Sequence, residues 1–87
     1  MAAEFHLSIL TPQQVVFEGP VEYVQVPGTE GYMGVLAHHA PLVTGLAEGK
    51  LTVRKSGGAE EYWKLAGGFF EVGHNRATVL ADSLSGE

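Results

Sequence analysis

The feature that most constrains this chain is how often turn residues interrupt it. No stretch keeps apolar residues at helical spacing over three turns, the pattern an amphipathic helix requires. Instead nine short runs follow one another: EFHLSIL, VVFEG, VEYVQV, YMGVLA, PLVTGL, KLTVRK, EEYWKLA, FFEVG and RATVLA. In the first, Phe5, Leu7 and Ile9 fall on one side and His6 and Ser8 on the other, the period of two that a half-buried strand shows. Many short strands with turns between them make an all-β chain, folded as a sandwich or flattened barrel. The sequence therefore predicts a single β domain over residues 1–87.

The punctuation carries further detail. VVFEG and VEYVQV, parted by Gly19 and Pro20, read as a hairpin. Pro27 to Gly31 combines one proline with two glycines, so a reversal is expected there, projecting into solvent. SGGAEE between Lys55 and Tyr62 reads as a flexible hairpin tip. GHN before Arg76 reads as a tight turn in which Gly73 and Asn75 tolerate left-handed backbone. Gly67 and Gly68, flanked by apolar residues, mark a bulge, a corner or a close backbone approach. The expected core is Leu7, Ile9, Phe17, Val24, Val26, Leu36, Leu42, Leu51, Val53, Leu65, Phe69 and Val79. Phe69 and Phe70 point opposite ways on a strand, so one of them is expected on the outer surface.

Size and charge narrow the function classes. A chain of 87 residues has room for one core, and with no cysteine it has neither disulfides nor thiolate metal ligands to reinforce it. Ten acidic residues against five basic ones give a net charge of -5, with the cations scattered along the sequence. Nucleic acid and anionic lipid surfaces are poor partners for such a chain. MAAEFHLSIL has no basic leader, and no run approaches the roughly 18 apolar residues of a membrane span. The expectation is a soluble, cytoplasmic-facing protein without direct lipid insertion.

Candidate chemistry is sparse. The adjacent His38 and His39 invite a metal hypothesis, and GVLAHHAPLVTGLAEG loosely echoes the ligand order of cupin sites. Neighbours on a strand point to opposite faces, however, and could converge only through a bulge or turn; His6 and His74 add no spacing logic. No Gly-x-Ser-x-Gly elbow exposes a serine, and Glu30, Glu60 and Glu61 sit where solvated charge explains them. GTEGYMG lacks the lysine and helix of a phosphate loop. Neither a cofactor nor a catalytic residue is expected. The residues describe a non-catalytic β domain that presents a surface to another protein, with a cupin-like ligand or metal module as the alternative.

Read in order, FHLSILTPQQVVFEG, VEYVQVPGTEGYMGVLAHHAPLVTGL, LAGGFFEV and NRATVLAD resemble the N-terminal domain of epsilon subunits of F-type ATP synthases across nearly the whole chain. The resemblance implies a flattened β-sandwich of about ten mostly antiparallel strands. It implies a rotor role in the central stalk, bound to the gamma subunit and resting on the c-ring, so that proton-driven rotation is coupled to ATP synthesis. It implies a location peripheral to an energy-coupling membrane, in bacteria the cytoplasmic face of the inner membrane. By position, Gly28, Thr29, Glu30, Gly31 and Tyr32 match the c-ring contact; Tyr32 replaces a residue commonly acidic in the family. Thr11, His39, Ala40, Pro41, Leu42 and Thr44 match the gamma contact. His38 stands where the family often has glycine. Relatives usually continue into a two-helix hairpin that inhibits ATP hydrolysis, whereas this sequence ends at SLSGE; that inhibition is not expected of these residues.

Overall fold

The computed structural model describes residues 3–86; residues 1, 2 and 87 of the expected domain lie outside the described residues. The described residues form seven strands: β1 (Phe5–Leu10), β2 (Val15–Gly28), β3 (Gly31–Leu36), β4 (Leu42–Lys55), β5 (Glu60–Gly73), β6 (Arg76–Ala81) and β7 (Leu84–Gly86). Pairing runs β1-β6-β5-β4-β2, and β2 also pairs with β1, so these five strands close on themselves. Closure removes most of the unpaired strand edge. β3 hangs from β2 and β7 from β5. The β1–β6 ladder is parallel and the others are antiparallel. The body measures 32 × 25 × 21 Å.

Three pairs of the nine runs merge, which leaves six strands, and β7 is a seventh that lies outside all nine runs. β2, β4 and β5 are each 14 residues long and serve different partners along their lengths. The expected hairpin at Gly19 and Pro20 is therefore corrected. Leu7 faces Gly19 and His6 faces Pro20 on a β1–β2 ladder that keeps its register from Phe5 to Ile9, so the chain passes straight through. Proline is tolerated there because β2 is changing partners, from β1 to β4.

Of the expected core, Leu7, Ile9, Val24, Val26, Leu51, Val53, Leu65 and Val79 are buried, while Phe17 and Leu42 pack partly buried against that cluster. Leu36 and Phe69 are corrections: each is 60% exposed. Both β4 and β5 exchange their inner and outer faces at one point. On β5, Trp63 and Leu65 are buried, then Phe70 and Val72; on β4, Leu46 is buried, then Leu51 and Val53. The ladder between them keeps its register throughout, with Leu46 opposite Gly68 and Glu48 opposite Ala66. Gly67 and Gly68 make the exchange possible, with φ of 94° and 141°. A Cβ on Gly68 would run into the Leu80 carbonyl oxygen. The paired glycines thus mark a close backbone approach, and the phase change they introduce puts Phe70 inside and Phe69 outside.

The turn before Arg76 is also refined. Gly73 stays in the ladder opposite Arg76, and the left-handed residues are His74 (φ 53°) and Asn75 (φ 56°). Two consecutive left-handed residues are the turn that a right-twisted hairpin favours.

Candidate partner-binding face

The β2–β3 turn is shorter and better braced than its composition predicts. Gly28 pairs with Gly31, leaving Thr29 and Glu30 as a two-residue turn. Pro27 and Gly28 are buried at the end of β2 rather than part of a projecting loop, which corrects that expectation. Glu30 is exposed at the apex. The Thr29 N–H donates to the Gly45 carbonyl at 3.0 Å. Tyr32 is 56% exposed, yet its hydroxyl accepts the Lys50 N–H of β4 at 2.9 Å. Beneath it Gly49 keeps the space open, since a Cβ there would lie 2.6 Å from the Tyr32 hydroxyl and 2.7 Å from Pro27 Cβ. Both sides of the turn are therefore fastened to β4.

The residues matched to a gamma contact fall in two places. After β3, His39 donates from Nδ1–H to the Ala40 carbonyl at 2.7 Å, which leaves Nε2 as its other ring nitrogen for a partner. Leu42 and Thr44 open β4 with their side chains toward the core side, Thr44 directly opposite the buried Phe70. A groove of about 410 Å³ joins the start of β4 to the turn, because Glu30, Gly31, Tyr32, Leu42 and Thr44 all line it, while His39, Ala40 and Pro41 lie outside it. Thr11 is not brought to that groove. It lines a separate concavity with Gln14, Trp63 and Leu84, where the Gln14 N–H donates to its hydroxyl at 3.3 Å.

Strand register exposes a feature that the sequence reading missed. Gly45 lies opposite Phe69, Phe69 opposite Leu80, Leu80 beside Leu10, and Leu10 opposite Val15. Directly paired residues share a face of the sheet. Phe69, Leu80 and Val15 thus form an exposed apolar row across the outer surface, with Val43, 69% exposed, next to it on β4. Only the register could have revealed it, because each residue is solitary in its own run. Rows of this kind mark protein contact surfaces.

His38 turns left-handed (φ 64°) and His39 is occupied with Ala40. Among the described residues no three His, Asp or Glu side chains are grouped to hold a metal. Four of the five cations, Lys50, Arg54, Lys55 and Lys64, lie on β4 and β5, and Arg76 opens β6. Arg54 pairs with Glu60 at 3.4 Å and Lys55 with Glu61 at 2.9 Å, while Lys50 lies 4.2 Å from the centre of the Tyr62 ring. The Tyr62 hydroxyl donates to Glu60 at 2.6 Å. That bond, ahead of the nearby Arg54 and Lys50 charges, holds Glu60 below the ordinary carboxylate value, and it raises Tyr62 above the ordinary phenol value. These are exposed groups in a solvated network.

The closed sandwich thus presents a turn braced on both flanks and an exposed apolar row across its outer surface. Its sequence matches the family described as ATP synthase, Delta/Epsilon chain, beta-sandwich domain over residues 4–86. The chain belongs to that family. It is 46% identical over 80 residues to the ATP synthase epsilon chain of Caulobacter vibrioides, covering 92% of each. A chain in the cryo-EM structure of the Euglena gracilis mitochondrial ATP synthase (OSCP/F1/c-ring) superposes with a TM-score of 0.91 at 27% identity. That match covers 99% of this chain and 55% of the Euglena chain, so this chain spans about half the length of that relative. A chain of the Tetrahymena thermophila mitochondrial ATP synthase central stalk and c-ring shares the fold, with a TM-score of 0.80 at 13% identity over 98% of this chain and 68% of that one.

Proposed function

We propose that this chain is a non-catalytic rotor subunit of an F-type ATP synthase, in which residues 1–87 act as one docking domain between the gamma subunit and the c-ring. Thr29, Glu30, Gly31 and Tyr32 meet the polar loops of the ring. Thr11, His39, Ala40, Pro41, Leu42 and Thr44 belong to the gamma-facing side, to which the exposed Val43, Phe69 and Leu80 add apolar area. The domain is peripheral to the membrane through the complex, at the cytoplasmic face of the bacterial inner membrane. The observation that carries this reading is the shared groove. It sets the braced turn against the start of β4, so ring contact and gamma contact adjoin on one stiff body. Close-packed interiors deform little, and a stiff body passes torque instead of storing it as strain.

The test uses the assembled enzyme. Glu30→Lys combined with Tyr32→Ala is expected to weaken ATP-driven proton pumping while the isolated domain stays folded; pumping at the wild-type level would refute the turn as the ring contact. Val43→Glu tests the gamma side more cleanly than a charge at Thr44, whose side chain lies opposite Phe70. It is expected to impair assembly, and normal assembly would remove Val43 from the interface.

A further inference from the structure

Residues 37–41 connect β3 to β4 and lie in neither strand. Backbone outside a ladder needs other partners for its polar groups. His38 has a further difficulty, for its left-handed φ of 64° is unfavourable for a residue with a Cβ and persists only where surroundings enforce it. The enforcing contact comes from far along the chain: the His38 N–H donates to Asn75 Oδ1 at 2.7 Å.

The same Asn75 amide uses its other end. Nδ2 donates to the Glu4 carbonyl at 3.0 Å, just before β1, and the Asn75 backbone carbonyl accepts the His6 N–H at 3.3 Å. Three segments distant in sequence thus meet at one side chain. Asparagine suits the place on two counts: its short amide both accepts and donates, and it tolerates the left-handed φ of 56° that the β5–β6 turn requires.

We propose that Asn75 is a positioning residue: it clamps His38 and thereby fixes the course of His39, Ala40 and Pro41, the segment assigned above to gamma. The partner half of this inference rests on that assignment; the clamp itself does not. Aspartate at 75 keeps the acceptor for His38 and loses the donor for Glu4. Glycine keeps the left-handed turn and loses both bonds.

The experiment is amide hydrogen exchange at His38 in the isolated chain, paired with the affinity of the same variants for gamma from the same source. In Asn75→Gly, His38 exchange is expected to rise by about tenfold or more while the Leu7 and Val79 amides keep their protection, and gamma affinity is expected to fall about tenfold. Asn75→Asp should hold both quantities within about threefold of wild type, because the acceptor remains. Unchanged His38 exchange in Asn75→Gly, or equal acceleration in Asn75→Asp, would overturn the clamp. Accelerated exchange with undiminished gamma affinity would overturn the positioning role and leave the clamp. Should the wild-type chain itself fail to bind gamma, the gamma assignment fails and the positioning role with it, while the exchange result still decides the clamp.

Discussion

Two turns in this molecule share a composition and differ in build. The Gly28–Gly31 turn and the Ser56–Ala59 turn each carry two glycines and a small polar or apolar residue, and both read from sequence as solvated tips. The first is fastened to β4 on both sides, by Thr29 to Gly45 and by Tyr32 to Lys50. The second is held from outside on one flank only, where the Ser56 N–H donates to the Pro20 carbonyl at 3.4 Å, the Ser56 hydroxyl to the Glu4 carboxylate and the Gly57 N–H to the Glu22 carboxylate at 3.3 Å. Its remaining bonds are its own, Lys55 N–H to Ala59 carbonyl at 2.7 Å and Gly58 N–H to Lys55 carbonyl at 2.9 Å. Space around Gly57 and Gly58 is open, with nothing within 4 Å of where a Cβ would be. A turn's stiffness is thus set by what its flanking strands meet across the sheet. The Gly28–Gly31 turn is held from both flanks and the Ser56–Ala59 turn from one.

The largest expected effect abolishes the comparison by melting both turns together. Leu51 is fully buried beneath the ladders that carry both turns, so Leu51→Ala should lower stability by about 2–5 kcal/mol in denaturant unfolding. A loss below 1 kcal/mol, roughly a surface-mutation effect, would show the core to be elsewhere. Next, Gly49→Val forces a side chain into the space held by Pro27 and Tyr32, with an expected cost of about 1–3 kcal/mol. Faster amide exchange should then appear at Thr29 and Lys50 and not at Gly58. Equal loosening of both turns would mean that bracing is not local.

Smaller effects sharpen the contrast. Tyr32→Phe removes only the acceptor for the Lys50 N–H and should cost about 0.5–1.5 kcal/mol, with Lys50 exchange accelerated. Wild-type protection at Lys50 would show that the hydroxyl does not brace the turn. Doubling the Ser56–Ala59 turn with inserted Gly and Ser should cost only about 0.6 kcal/mol, since loop closure depends weakly on length. A cost above that of Gly49→Val would reverse the ranking of the two turns.

The smallest effect is electrostatic. Glu60 is depressed first by its bond from Tyr62, so it favours the folded state above its unfolded titration point and loses that contribution as pH falls through the folded one. Tyr62 is raised, so its contribution is present below its unfolded titration point and lost as pH rises through the folded one. Both groups are exposed, and stability should change little across either range. The sensitive readout is NMR titration: Tyr62→Phe should return Glu60 toward the ordinary carboxylate value, and an unmoved Glu60 titration would assign the depression to Arg54 and Lys50 instead.

Legibility in the sequence followed the same division between local and distant causes. Leu7, Ile9, Val24 and Val26 were readable because a straight strand with one buried face imposes alternation within a few residues. Phe69 was not, because the phase change at Gly67 and Gly68 inverts the pattern in the middle of β5. Leu36 sits in a run, YMGVLA, whose apolar residues do not alternate, so its face depended on pairing with Tyr23. β7 contributes only Leu84 as an apolar residue and exists through its ladder with Trp63 to Leu65. Of the site, the position of the turn was legible and its bracing was not, since Gly45 and Lys50 come from another strand. The apolar row from Val15 to Phe69 was invisible for the same reason: it runs across strands, and only register assembles it.

The central claim is that this chain is a docking subunit for gamma, and the direct measurement is association of the purified chain with gamma from the same source, read by size-exclusion chromatography with light scattering. A stable one-to-one complex, lost in Val43→Glu and kept in Glu30→Lys, is the predicted result. Two demonstrably folded proteins that elute separately at every concentration would contradict it.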